Sequence, residues 1–292
     1  MHRKNFDPHK VQVSSLISVK TGGCQEDCHY CPQAARYNTG VARQKMLTLE
    51  DAIEMSKRAK KQGSSRVCLG AAWRKVEDNK QFDNIVQMVE TVSSMGLEVC
   101  CTLGMLKDHQ ADRLKEAGLY AYNHNVDTSR EHYSEVITTR TYDDRLKTLE
   151  NVRKAKLTVC SGGIIGLGEK KEDRIKMLLT LSSLEKPPES IPINTLVAVK
   201  GTPLEDEKSV SFWSLLRMVA TARIVFPSSH IRLSAGRLER SPSEQALCFF
   251  AGANSIFSGE KLLTTPNCDS KEDKELFDAL GLIPSLPFEK QA

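Results

Sequence analysis

Short apolar runs alternate along the chain with longer stretches whose apolar positions recur every three to four residues, the pattern of strands followed by amphipathic helices. Eight runs read as strands: Val11 to Val19, Val67 to Leu69, Glu98 to Leu103, Tyr120 to Val126, Leu157 to Cys160, Ile191 to Val197, Ile231 to Leu233 and Asn254 to Phe257. The helical stretches between them are Leu49 to Gln62 behind a Thr48 cap, Phe82 to Met95, Gln110 to Ala117, Asp144 to Lys156, Lys171 to Leu184, Val210 to Phe226 and Pro242 to Phe250. Gly63, Gly96 and Gly118 stand where a left-handed helix cap precedes the next strand. Alternation of this kind predicts an α/β fold, a parallel (β/α)8 barrel of the TIM type. An open doubly wound sheet is the alternative.

No Pro/Gly/Ser-rich linker breaks the series, and Lys186-Pro187-Pro188 reads as a loop, so residues 1–292 are expected to form one barrel domain. It would have a short N-terminal extension, with a C-terminal segment, 258–292, closing the barrel. The 292 residues are 40% apolar and 27% charged with a net charge of +4, which argues against disorder and gives no case for nucleic acid or an anionic membrane. No apolar run is long enough to span a bilayer, and Met1 to Lys10 lack the apolar stretch of a secretory signal, so a cytoplasmic protein is expected. Nine cysteines in a reducing compartment ask for metal binding, catalysis or burial rather than disulfides.

Three of them, Cys24, Cys28 and Cys31, lie in a glycine-led loop directly after the first strand. In a barrel that is the catalytic face. Their spacing lets one loop present three thiolates to three irons of a 4Fe-4S cluster and leaves the fourth iron open. A structural zinc site would need a fourth ligand, from His29 or a distant cysteine. With Tyr30 before Cys31 the motif is C-x3-C-x-aromatic-C, and Gly162-Gly163-Ile164-Ile165-Gly166-Leu167-Gly168-Glu169 fits G-x-I-x-G-x-x-E. On these residues the chain resembles the radical S-adenosylmethionine superfamily. That resemblance implies a cluster whose free iron is chelated by the methionine amine and carboxylate, and a sulfonium split on reduction to methionine and a 5'-deoxyadenosyl radical. Tyr30 and Ile164 would then lie against the adenine.

Cys68, Cys100 and Cys160 fall at the ends of the second, third and fifth strand candidates, where inward-facing side chains at similar height could share a metal centre. Cys100 and Cys101 must face opposite sides, and alternation alone does not say which faces inward. Cys248 reads as core and Cys268 has no evident role. Val67-Cys68-Leu69-Gly70-Ala71-Ala72-Trp73-Arg74, Tyr122-Asn123-His124-Asn125-Val126-Asp127-Thr128 and Arg232-Leu233-Ser234-Ala235-Gly236-Arg237 look like the biotin synthase family, over nearly the whole chain. The resemblance implies a 2Fe-2S cluster on Cys68, Cys100, Cys160 and Arg232, with Cys101 as the outward neighbour.

It implies further that sulfur enters dethiobiotin between C6 and C9, the last step of biotin synthesis, through two successive hydrogen abstractions. Asn123, Asn125 and Asn194 would surround the ureido ring, to which asparagine amides offer matching donors and acceptors. Asn125 and Asp127 would reach the ribose, Arg145 the methionine carboxylate and the Ala71 carbonyl its amine. Thr264 and Thr265 would receive the substrate carboxylate. A reducing electron-transfer protein, iron–sulfur assembly machinery and a second copy of the chain in a homodimer are the implied partners. The family also carries a helical N-terminal segment, whereas here about ten residues precede the first strand.

Overall fold

The computed structural model describes residues 2–289. Nine strands make the barrel wall: β1 Lys10–Lys20, β2 Arg66–Ala71, β3 Glu98–Thr102, β4 Ala121–Asn123, β5 Thr158–Cys160, β6 Gly163–Ile165, β7 Ser190–Thr195, β8 His230–Leu233 and β9 Ser255–Phe257. All pair in parallel, and β1 pairs with both β2 and β9, so the sheet closes on itself. β5 and β6 share the fifth position, both pairing with β7. The wall is therefore eight-stranded, as expected, and the open-sheet alternative falls.

After α1 His2–Asn5, the outer layer comprises α2 Leu49–Lys61, α3 Lys80–Ser94, α4 Asp108–Glu116, α5 Arg130–Val136, α6 Tyr142–Lys154, α7 Lys171–Ser182, α8 Phe212–Val225 and α9 Pro242–Ala251. Thr48 caps α2, accepting from Asp51 N, and Gly63, Gly96 and Gly118 take φ of +88°, +77° and +92°. The large apolar cluster lies between strands and helices: Val67, Leu69, Val99 and Cys101 pack outward with Phe82, Ile85 and Val89 of α3. Cys68, Cys100 and Ala121 form a separate cluster on the lumen side. Cys100 is thus the inward member of its pair.

The predicted strand over Tyr120 to Val126 is cut short. Pairing ends at Tyr122 with β3 and at Asn123 with β5, and Asp127 takes φ +68°, turning the chain toward an isolated bridge with Gly163. The C-terminal segment is more structured than a closing tail. It holds a hairpin, β10 Lys261–Leu262 with β11 Thr265–Pro266, then α10 Ser270–Leu280 and β12 Ile283–Pro284, which pairs with the start of β1. Residues 1 and 290–292 of the expected domain lie outside the described residues.

Candidate active site in the barrel lumen

The loop after β1 is anchored by the residues between its cysteines. Asp27, buried, accepts from Thr138 N (2.9 Å), Thr139 N (3.2 Å) and Thr139 Oγ1 (2.9 Å), and from Thr138 Oγ1. Burial alone would raise its carboxyl pKa, but these hydrogen bonds outweigh it and hold the group well below the usual carboxylate range. Glu26, also buried, faces Arg74 (3.3 Å) and Arg140 (3.7 Å) and accepts from Thr139 Oγ1. The segment after α5 therefore clamps the cysteine loop from above. Gly22 and Gly23 make its entry, at φ +73° and +72°; a Cβ on Gly22 would meet Ala42 O at 2.9 Å.

Cys24 and Cys31 are partly exposed and Cys28 is buried. Burial pushes the Cys28 thiol up to about 11 and the Cys31 thiol up to about 12. Arg140 Nη2 stands 3.9 Å from Cys28 Sγ, a cation where thiolates would collect negative charge. Among the described residues no three His, Cys, Asp or Glu side chains converge closely enough to hold one ion. A cluster distributes its thiolates one per iron, so this donor set fits a multi-iron core better than zinc.

Beside the loop, Tyr30 Oη donates to Asp127 Oδ2 (3.0 Å), and Arg145 forms a buried ion pair with the same carboxylate while its Nε donates to Tyr133 Oη (3.0 Å). The two residues assigned by resemblance to ribose and methionine carboxylate are thus paired with each other. Arg145 is 4% exposed, so it is a buried charge and not a solvated one on the face of α6. Gly162 and Gly163 let the β5–β6 link press against its neighbours: a Cβ would lie 2.1 Å from Pro192 O at the first and 2.3 Å from Asp127 O at the second. Ile164 lines the cavity, and its amide donates to Asp127 O (2.8 Å). Glu169 accepts from Gly166 N (2.8 Å), Leu167 N (2.5 Å) and Arg174 Nε (2.7 Å), so the last residue of that motif shapes the loop.

Deeper in the lumen Arg232 is 0% exposed. Its Nε donates to Ser255 Oγ (2.9 Å) and its Nη2 to Gln12 Oε1 (2.8 Å), and Nη1 points at Cys160 Sγ (3.7 Å). No carboxylate pairs with it among the described residues; the nearby Glu98 is taken by Arg66 at 2.7 Å. A buried guanidinium without a carboxylate wants another anion, and thiolates supply that charge. Cys68 and Cys100 are register partners across β2 and β3. A shared hydrogen bond pushes the Cys68 thiol down and the Cys100 thiol up, with burial and the Cys68 and Cys160 thiols adding to the latter. Arg232 thus reaches Cys160 directly and acts on Cys68, the neighbour of Cys100 across the sheet.

A cavity of about 320 Å³ joins the two groups, bordered by Cys24, Cys28 and Cys31 at one end and by Cys68 and Arg232 at the other. Ala71, Asn123, Asn125, Asn194, Thr264 and Thr265 also line it. The asparagines are partly committed. Asn123 Nδ2 donates to Cys160 Sγ (3.1 Å), Asn125 Oδ1 accepts from Gly162 N (3.2 Å), and both ends of the Asn194 amide meet backbone, at Gly163 O and Ala235 N. Ala71 O accepts from Trp73 N (2.8 Å) and Thr265 Oγ1 donates to Leu262 O (3.1 Å). Sequence reading missed the Glu26, Asp27, Thr138, Thr139 and Arg140 clamp. Its signal was the acidic pair inside the cysteine spacing and the Thr-Thr-Arg run that answers it.

The model of the Radical SAM superfamily matches residues 18–181, and that of the Biotin and Thiamin Synthesis associated domain matches residues 192–283. The methylornithine synthase crystal structure superposes with a TM-score of 0.79 at 22% identity, covering 95% of this chain and 84% of that one, a likeness of fold. A biotin synthase of Cytophaga hutchinsonii is 61% identical over 288 residues, 99% of this chain and 86% of its own length. One from Flavobacterium johnsoniae is 60% identical over 290 residues, 99% of this chain and 80% of its own. A cysteine loop at the mouth of a closed barrel, a second cysteine group within it and identity of this order along the whole wall place the chain in the biotin synthase family of radical S-adenosylmethionine enzymes.

Proposed function

We propose that this chain is the sulfurtransferase that converts dethiobiotin to biotin, inserting sulfur between C6 and C9 with methionine and 5'-deoxyadenosine as by-products. The observation that carries the proposal is the single cavity with a cysteine loop at its mouth and a cysteine–arginine group at its floor, wide enough for a small molecule to lie between them. Cys24, Cys28 and Cys31 would hold the 4Fe-4S cluster that family membership implies, and Cys68, Cys100, Cys160 and Arg232 a 2Fe-2S cluster. When bound, the first group supplies reductive cleavage of S-adenosylmethionine and the second supplies sulfur.

The chain's own side chains orient the reactants and exclude water. Tyr30 and Ile164 offer apolar surface for the adenine, and Asn125 offers its Nδ2 donor and Asp127 an acceptor for the ribose. To take the methionine carboxylate, Arg145 must share or loosen its pairing with Asp127, so the cofactor exchanges one buried ion pair for another. Ala71 O keeps a second lone pair for the amine. Asn123, bonded to Cys160, bridges the ureido ring and the sulfur ligands. Asn194 supports the ring through the backbone it braces, and Thr264 and Thr265 receive the substrate carboxylate.

Once Nη1 gave up its proton, Arg232 would be a hard, weakly binding ligand among thiolates, which would suit a cluster that supplies sulfide. Arg232→Cys should prolong the life of that cluster during turnover; an unchanged lifetime argues against this role. One barrel domain spans the chain, with residues 258–289 closing it; a reducing protein and assembly machinery serve it in the cytoplasm. Among the described residues no helix is long and apolar enough to cross a membrane. A homodimer could use the exposed apolar side chains Trp213, Ile224, Leu247 and Phe250 on α8 and α9. The test is anaerobic reconstitution and a single turnover with dethiobiotin, S-adenosylmethionine and reductant. Two distinct clusters and biotin are expected; one cluster and no biotin would overturn the proposal.

A further inference from the structure

We propose that Leu263 is a positioning residue: a wedge at the tip of the β10–β11 hairpin that fills a notch left by Gly70 and narrows the lumen above Cys68. The role rests on the reaction proposed above. Leu262 pairs with Thr265, which leaves Leu263 and Thr264 as the two tip residues. Leu263 takes φ +56°. The first position of such a turn favours glycine, because a Cβ crowds the backbone in the left-handed region. Leucine here works against its own turn, and its side chain must be wanted for something else.

Gly70 shows what that is. It lies within β2, where glycine weakens a strand, and its φ is not left-handed, so the backbone makes no demand for it. A Cβ there would stand 3.1 Å from Leu263 Cδ2 and 3.9 Å from Leu16 Cδ1. Gly70 therefore supplies room. Residues two apart on a strand share a face, so the notch sits roughly 6.6 Å above Cys68 on the lumen side. Leu16 is the register partner of Cys68, and Leu16, Gly70 and Leu263 all border the cavity. A leucine in a glycine conformation thus meets a glycine in a strand, two local departures that fit each other.

The hairpin is braced at its base. Asn267 Nδ2 donates to Phe257 O (3.2 Å) and Gly259 O (2.9 Å), and Gly259 N donates to Cys268 O (3.1 Å). Arg237 grips Asp273 of α10 through both oxygens, at 2.6 and 2.9 Å. The tip thus reaches inward from a fixed support, and seating Leu263 also seats Thr264 and Thr265 against the cavity. With 37% of its surface exposed, Leu263 narrows the way to the sulfur ligands and so limits water there while hydrogen is being abstracted.

Leu263→Gly removes the wedge and suits the backbone, so it should fold. In the full chain without clusters, alkylation of Cys68 by iodoacetamide should quicken on the order of tenfold through this opening, with Cys248 in the helix layer unchanged. Leu263→Met should label as slowly as the unmodified chain. Gly70→Ala, whose Cβ would press on Leu263 Cδ2 at 3.1 Å, should shift the wedge slightly and quicken labelling less, and the double variant should label no faster than Leu263→Gly alone. In the loaded enzyme, Leu263→Gly should raise the KM for dethiobiotin and the 5'-deoxyadenosine made per biotin, with the rate of S-adenosylmethionine cleavage unchanged. Cys68 labelling unchanged by Leu263→Gly, or fully additive effects at 70 and 263, would overturn the wedge. If the loaded unmodified chain makes no biotin, the reaction falls, and the labelling comparison still decides the wedge.

Discussion

Cys24, Cys28 and Cys31 sit on one loop, partly open to solvent, held by hydrogen bonds to a segment more than a hundred residues away in sequence. Cys68, Cys100 and Cys160 come from three strands, are buried in the lumen, and face an arginine from a fourth. The first group owes its spacing to local chain geometry and its rigidity to Asp27 and Glu26. The second owes both to strand register, so it has no geometry until the barrel closes. A site built locally can be reached and reloaded from outside. One built from register is shielded, and access to it depends on what covers the lumen.

The contrast is broken most completely by Cys28→Ala. It should abolish S-adenosylmethionine cleavage and biotin formation together, measured as 5'-deoxyadenosine and biotin in one anaerobic assay. Cys160→Ala should separate them: biotin formation is lost, whereas 5'-deoxyadenosine still appears. Retention of biotin formation in that variant would remove the lumen group from the reaction.

A smaller effect sharpens how the loop is held. Asp27→Asn should cost about 2 kcal/mol at neutral pH, because it sets an amide donor against the Thr138 and Thr139 amides. The folded carboxyl is held below its unfolded value. Its contribution is therefore present above the unfolded pKa of about 4 and is lost as pH falls from there toward the folded one. Urea unfolding across pH should show a constant gap between Asp27 and the variant near neutrality, narrowing in acid. A gap that widens in acid would contradict the assignment. Smallest of all, Cys101→Ala should cost only about 1 kcal/mol and leave both products unchanged, since that thiol packs outward among Val99 and Leu97.

Much of this was legible because the barrel's repeating unit and the cysteine loop are local patterns. Helix caps at Thr48, Gly63, Gly96 and Gly118 mark the boundaries, and the spacing of Cys24, Cys28 and Cys31 needs no tertiary information. Choosing between Cys100 and Cys101 did need it. Alternation gives opposite faces and only the closed sheet says which is inside: Cys100 packs with Cys68 and Ala121, and Cys101 with the large apolar cluster. The early end of the fourth strand at Asn123 was illegible, because an aspartate in a left-handed conformation leaves no trace in a hydrophobic pattern. The hairpin was hidden for the same reason: Leu263 occupies a turn position that sequence rules reserve for glycine.

β1 bonds along one edge to β2 and along the other to β9 and β12. During synthesis the first edge finds its partner early, whereas the other stays bare until more than two hundred further residues have emerged. A nascent chain of this topology thus carries an unsatisfied strand edge for most of its time on the ribosome, a target for chaperones and for misassociation. Closure is the last long-range event, and folding in vitro should be correspondingly slow and sensitive to protein concentration.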